Sequence, residues 1–427
     1  NCGDLKSEEM PLQFFLDYAW DPEAWDIDRL GEWERRYAEQ SFGPHHAGAI
    51  AEVLHTYGVL QARRKPELLN RRITLDPDKD PATDPAAVVY DDEASPFSLT
   101  DYREIERVTA EWERLDARAE RIGQELPAAW HDAYYQLVQY QVEATANLYA
   151  LRLAEFTNLH YARQGRASAN ELADATDARF ADDQAMSEYY NTRLADGKWE
   201  GFQTQPKIGY GDVERYGPDA GWQQPQTPDH VALPDEVFPP VRRLELPPVA
   251  EMGVAVDGSD QWWPEAQGPA RLPVFSPYQS QPAQYIEVFN RGTEPFRYRI
   301  EPAEDWVRVT RARGTVTTQI RAEVHVDFDR APLGTTTVPI TVTGPEGATV
   351  EVLAEVDNPG IPLRQLDGFV EANGYVSMEA SHYSRAVDSG GVTWRRIPDL
   401  GRTGDGMTPF PVTAPRRDPG GDGPRLE

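Results

Sequence analysis

The chain has 427 residues, 26% of them charged and 40% hydrophobic, with one cysteine, Cys2. Its 71 acidic residues against 42 basic ones give a formal charge of −29, a surface that repels nucleic acid and anionic membranes. No apolar run is long enough for a membrane-spanning helix, and a lone cysteine excludes an intramolecular disulfide or a cysteine-rich zinc site.

The opening residues, NCGDLKSEEMPLQFFLDYAW, read as the end of a buried strand turning into a helix. Gly3 permits the turn, Asp4 can cap the helix, and Phe14, Phe15, Tyr18 and Trp20 give it an apolar face. Residues 11–197 carry helical periodicity. Ile50, Val53, Leu54 and Tyr57 share one face, and Tyr102, Ile105, Trp112, Leu115, Ala119 and Ile122 another. A long element starting near Pro127 carries Leu137, Ala144, Leu148 and Leu151, with the proline at a first helical position. Ser168-Ala-Asn-Glu171 has the spacing of a capping box. Residues 75–96, rich in Asp and Pro, read as a loop. Long amphipathic helices with short links predict an antiparallel bundle.

From 198 to 283 Pro, Gly, Gln and Trp dominate. This stretch reads as an extended connector with a few strands, and Trp199, Trp222, Trp262 and Trp263 argue for packing rather than disorder. Strand alternation follows. Phe296, Tyr298 and Ile300 alternate with Arg297 and Arg299, Val324, Val326 and Phe328 with Glu323, His325 and Asp327. Val350, Val352, Ala354 and Val356 form a third alternating set. Such half-buried strands with Gly/Pro turns predict a β-sandwich over 284–357. Residues 358–427 hold short strand-like pieces and read as a β-rich domain begun and not finished.

No phosphate-cradling glycine loop, GxSxG elbow or HExxH motif occurs. His45 and His46 read as a solvated pair rather than metal ligands, and His325 as plain strand surface. Trp262-Trp263 fits core or connector packing better than sugar stacking. Glu379 to Tyr383, with His382, reads as a strand and its turn before a ligand site. The one concentrated polar set is Asn1, Asp4 and Lys6 around Gly3. Two readings of it stand open: strand-end residues lining the mouth of an α/β barrel, or a helix cap beside an exposed lysine.

Several phrases, in order, resemble glycoside hydrolase family 115, the xylan α-1,2-glucuronidases: NCGDLKSEEMPLQFFLDYAWDPEAW, RRKPELL, YARQGRASAN, EYYN, GKW, IGY, YIEVFNRG, EANGYVSMEASHY and GRTGDGMTPFPVTA. The resemblance implies a multidomain α+β chain. Residues 1–22 would be the end of a (β/α)8-like barrel, 23–197 the helix bundle and 198–283 the connector. Residues 284–357 would be the sandwich and 358–427 the start of a C-terminal β-rich domain whose loops reach towards an active site. It further implies removal of α-1,2-linked glucuronic acid, or its 4-O-methyl ether, from glucuronoxylan with inversion. The catalytic carboxylates would lie upstream of Asn1, which would then not be a natural start. Asn1, Asp4 and Lys6 would stand at the pocket rim as substrate-binding residues, Asn1 hydrogen-bonding and Lys6 offering a cation to the uronate. No metal or cofactor is implied. The whole protein would be secreted or periplasmic, often a homodimer, with no nucleic-acid or membrane partner. The sequence departs from the family at Ser7, where Pro is usual, at Lys207, where His is usual, and in an insertion over Gly211–Gly221. A scaffold or carbohydrate-binding module, or an enzyme for another uronic-acid polymer such as an arabinogalactan, remain the alternatives.

Overall fold

The computed structural model describes residues 5–6, 8–64, 66–69, 72–75, 78–79, 88–91, 95–203, 239, 241–401, 403–417, 421 and 423–427. Its first half is helical: α1 (Glu9–Trp20), α2 (Leu30–Phe42), α3 (Ala47–Arg63), α4 (Glu104–Glu125), α5 (His131–Tyr134), α6 (Tyr140–Arg163) and α7 (Ser168–Thr192). Helix α2 packs on α3, α3 on α4, α4 on α6 and α6 on α7. One core joins Trp33 and Phe42 of α2, Ile50 and Val53 of α3, Trp112 of α4 and Tyr149 of α6. Trp112 stacks on Tyr149 with ring centres 5.3 Å apart, and Tyr57 meets Trp112 edge-on at 5.7 Å, the offset geometries that aromatic quadrupoles favour.

Helices α5 and α6 run into each other through a π-turn at Tyr135–Gln139. Opposite it, α4 presents Gly123, where a Cβ would lie 2.8 Å from Gln139 Oε1 and 3.1 Å from the Tyr134 ring. The glycine permits that close approach. Pro127 stands just before the first turn of this element rather than in it. Ser168 is likewise not a cap: its hydroxyl donates to Gln319 Oε1 at 2.8 Å, leaving α7 with no side-chain cap bond. The tertiary bond to a sheet residue has displaced the local one. Strand β2 (Val88–Asp91) falls within the stretch expected to be a loop and pairs antiparallel with β1 (Arg72–Leu75) at its edge.

Two sheets make up the next part. One has strands in the order β4 (Ala270–Arg271), β11 (Thr349–Asn358), β10 (Gly334–Thr343), β6 (Phe296–Pro302), β8 (Arg313–Val316). The other runs β3 (Met252–Val256), β5 (Gln284–Asn290), β9 (Gln319–Val326), β7 (Val307–Val309). All pairings are antiparallel except β4 with β11. A single apolar core takes Val254, Ile286, Val288 and Val324 from one sheet and Ile300, Ile340, Val352 and Ala354 from the other. Strands β3 and β4 therefore belong to these sheets although they fall in the stretch expected to be connector. Trp263 is in this core, its Nε1 donating to Gly268 O at 2.8 Å, while Trp262 is covered by Phe289 and Arg291. His325 is half-buried at the sheet surface and faces Glu323 at 3.4 Å.

Beyond Asn358 the chain forms two small ladders, β12 (Ala386–Val387) with β15 (Arg425–Leu426) and β13 (Thr393–Ile397) with β14 (Gly406–Phe410). Among the described residues after Asn358 only the apolar Ala372 and Val392 are buried. Ala380–His382 is a short helical turn rather than a strand. The described part of residues 1–22 contains one helix, and no closed barrel occurs among the described residues. The strand expected before it lies outside them.

Helices and sheets are joined by a buried ionic network. Arg166, 1% exposed, pairs with Glu287 of β5 and lies over the rings of Tyr161 and Phe289 at 3.9 and 4.1 Å. Arg321 of β9 bridges Glu287 at 2.8 Å and Glu106 of α4 at 2.7 Å, and Tyr161 Oη donates to Glu287 at 3.0 Å. Burial opposes the charge on Glu287, but the two guanidiniums hold its pKa down at about 2. Asn158 and Asn170 grip the chain at Arg242 and Leu244 through paired backbone bonds of 2.7–3.0 Å. The phrases YARQGRASAN and YIEVFNRG thus work as the joint between the two halves.

Candidate functional site

Of the three residues expected at a substrate rim, Asn1 and Asp4 lie outside the described residues. Lys6 stands three residues before the start of α1. Its Nζ pairs with Glu9 Oε1 at 3.0 Å and lies 5.2 Å from the centre of the Trp199 ring. Gln136 donates to the same Glu9 oxygen at 3.1 Å, and Glu9 Oε2 is buried with no hydrogen-bond partner among the described residues. Burial works against the Glu9 carboxylate, yet the bonds from Lys6, its own backbone and Gln136 bring its pKa below the usual value. The charge of Lys6 is therefore already answered by an acid.

Next to this pair opens a cleft of about 420 Å³. It is lined by Glu8 to Pro11 at the start of α1, Glu34 and Tyr37 of α2, and Leu54, His55, Tyr57, Gly58 and Val59 of α3. Leu137 and Gln141 form its floor side, and Pro398 and Asp399 close it from the C-terminal part. His55 joins two of its walls: Nδ1 is 3.2 Å from Glu34 Oε1 and Nε2 is 3.2 Å from Asp399 Oδ2. Burial lowers the His55 pKa, but the two carboxylates outweigh it and raise the net value. Glu34 is raised, burial outweighing the imidazole, and burial beside Glu9 pushes Tyr37 up to about 12. A cleft of carboxylates, phenols and one imidazole can hydrogen-bond sugar hydroxyls.

A second cleft of about 640 Å³ lies between α4, the π-turn, α6 and α7, lined by Glu113, Asp116, Glu143, Arg179, Asp182 and Tyr189 among others. Burial and the neighbouring acids lift Asp116 to about 6. Among the described residues no group of His, Cys, Asp and Glu could hold a metal ion, and no helix is long and apolar enough to cross a membrane. His46 stands 3.8 Å from Glu125 at the surface. Glu379 accepts from Thr403 Oγ1 at 2.5 Å. Lys207 and the insertion over Gly211–Gly221 lie outside the described residues, as does Ser7.

Sequence reasoning did not find His55, Glu34 or Asp399. Each is an ordinary polar residue in its own segment, and Asp399 lies 344 residues from His55, so no local signal marks the meeting.

Comparison with known proteins bears on the ends of the chain. Residues 1–68 match the model of glycosyl hydrolase family 115, and residues 368–427 match that of the glycosyl hydrolase family 115 C-terminal domain. No curated protein matches. Among solved structures, the chain is similar to a family GH115 4-O-methyl-α-glucuronidase with specificity for decorated arabinogalactans. The two share 14% identity and superpose with a TM-score of 0.36 over 83% of this chain and 45% of that one. The chain thus spans less than half the length of that protein. The 420 Å³ cleft is where the two matched segments meet: Glu8–Pro11, Glu34 and His55 come from one, Pro398 and Asp399 from the other.

Proposed function

We infer that the chain is the C-terminal part of an α-glucuronidase that removes α-1,2-linked glucuronic acid, or its 4-O-methyl ether, from glucuronoxylan with inversion. The observation that supports this most is the convergence of the two family-matched segments on one polar cleft. Inverting hydrolysis needs a general acid and a general base on opposite faces of the sugar, with water between them. These carboxylates belong upstream of Asn1 in the proposal, and this chain alone is inactive. Its share is the pocket rim, where Asn1, Asp4 and Lys6 bind substrate. Lys6, held between Glu9 and Trp199, meets the uronate carboxylate by exchanging partners with Glu9. The whole enzyme is secreted or periplasmic and a homodimer in this reading, and it needs no cofactor.

The test uses the protein extended upstream of Asn1, incubated with beechwood glucuronoxylan. Release of 4-O-methylglucuronic acid as the β-anomer, followed by proton NMR before mutarotation, is the expected result. Lys6→Ala should then lower kcat/KM about tenfold, the scale of one hydrogen bond to a charged group. A folded protein that releases nothing from xylan but acts on an arabinogalactan would reassign the polymer, and one inert on both would leave a binding or scaffold role.

A further inference from the structure

His55 sits where the helices meet the C-terminal part, and both of its ring nitrogens face carboxylate oxygens at the same 3.2 Å. A neutral imidazole has one N–H to give, and only the imidazolium donates from both nitrogens. With both carboxylates ionised the geometry is that of the charged ring, shared between Glu34 of α2 and Asp399. Asp399 is held ready for it. Its backbone is in the left-handed region at φ +56, its amide donates to Asp405 Oδ1 at 3.1 Å, and Asp405 pairs with Arg396 of β13 at 2.5 Å. The segment lies in the loop between β13 and β14, closed by Gly401 N donating to Gly404 O at 2.6 Å, and it packs little against the rest: Pro398, Asp399 and Leu400 are exposed, Leu400 at 57%.

We propose that His55 is a positioning residue, a proton-dependent clamp that fastens the Pro398–Asp399 segment over the cleft when the imidazole is charged and releases it when the ring is neutral. The functional consequence rests on reading that cleft as the substrate site; the clamp itself does not. The groups that face His55 are Glu34 from α2 and Asp399 from the C-terminal part. The other titratable residues of the cleft are Glu8, Glu9, Tyr37 and Tyr57. A histidine whose folded pKa is raised contributes fully below its unfolded pKa, near 6.5, and loses the contribution as pH rises through the folded value. Closure is thus favoured in mildly acidic solution and weakens above neutrality.

Hydrogen–deuterium exchange on the chain as it stands tests this without substrate. After correction for the intrinsic pH dependence of exchange, protection of the backbone at Asp399–Gly401 should fall roughly two- to fivefold between about pH 6 and pH 8.5, the scale of a solvent-screened ion pair. In His55→Gln that protection should be low at both pH values, and Asp399→Asn, a change on an exposed loop, should abolish the same pH dependence. Protection in the wild type that ignores pH, or a pH dependence that persists in either variant, overturns the clamp. A responsive loop in a protein whose extended form cleaves no glucuronoxylan would overturn the proposed function and leave the clamp standing.

Discussion

Asp257, at the end of β3 and 1% exposed, shows how one residue sets a pH limit on the molecule. Its Oδ2 is buried with no hydrogen-bond partner among the described residues. Burial is the main cause of a pKa raised to about 7; Arg321 and Arg103 oppose it and Glu106 adds to it. The sign follows from linkage. A carboxyl whose folded pKa exceeds its unfolded value contributes fully only below the unfolded value of 3.8, and the contribution is lost as pH rises from there through about 7. Asp257→Asn keeps the shape and removes the charge. The variant's gain over wild type should be larger at pH 9 than at pH 5 by on the order of 2 kcal/mol. Urea unfolding at the two pH values measures this, and an equal difference at both would refute it. The same scale explains Lys6. An exposed lysine beside acids was foreseeable from its neighbours, but the ring of Trp199 beneath it, 193 positions away, was not.

Individual elements differ in how openly the sequence declared them. Strand β6 alternates buried Phe296, Tyr298 and Ile300 with exposed Arg297 and Arg299, as its pattern foretold, and β11 buries Val350, Val352, Ala354 and Val356. Strand β3, in contrast, is buried at all five positions. A strand covered on both faces has no alternation to read, so β3 was lost among the prolines around it. The turn after β5 adds a constraint that only the packed structure reveals. A Cβ on Gly292 would stand 2.0 Å from Val249 O and 2.8 Å from Pro247 O, both main-chain atoms that cannot swing away. Gly292→Ala should destabilise by about 3 kcal/mol or prevent folding, whereas Gly31→Ala in α2, with nothing near the new carbon, should stabilise by up to about 1 kcal/mol. Thermal unfolding of the two variants, run in parallel, decides it. If both moved in the same direction, close backbone approach would not be the reason for the glycine.

At the scale of the whole molecule, a formal charge of −29 makes the folded chain repel itself. Raising salt from roughly 0.01 M to roughly 1 M shortens the screening length from about 30 Å to about 3 Å, and the melting temperature should climb by several degrees. A melting temperature indifferent to salt would remove self-repulsion from the account. The candidate site is also a whole-molecule property, since its walls come from helices near the start and a loop near the end, and no window of sequence contains both. The Glu287 network has a practical consequence of the same kind. The Pro-rich stretch after α7 invites a cut, as though helices and sheets were modules to be exchanged separately. Yet the half holding Glu287 would keep Arg321 and lose Arg166, Tyr161 and Glu106. The other half would keep Arg166 with no acid to answer it. Scissors applied there would expose two incompatible stumps, so in recombination, natural or engineered, these two folds travel as one cassette.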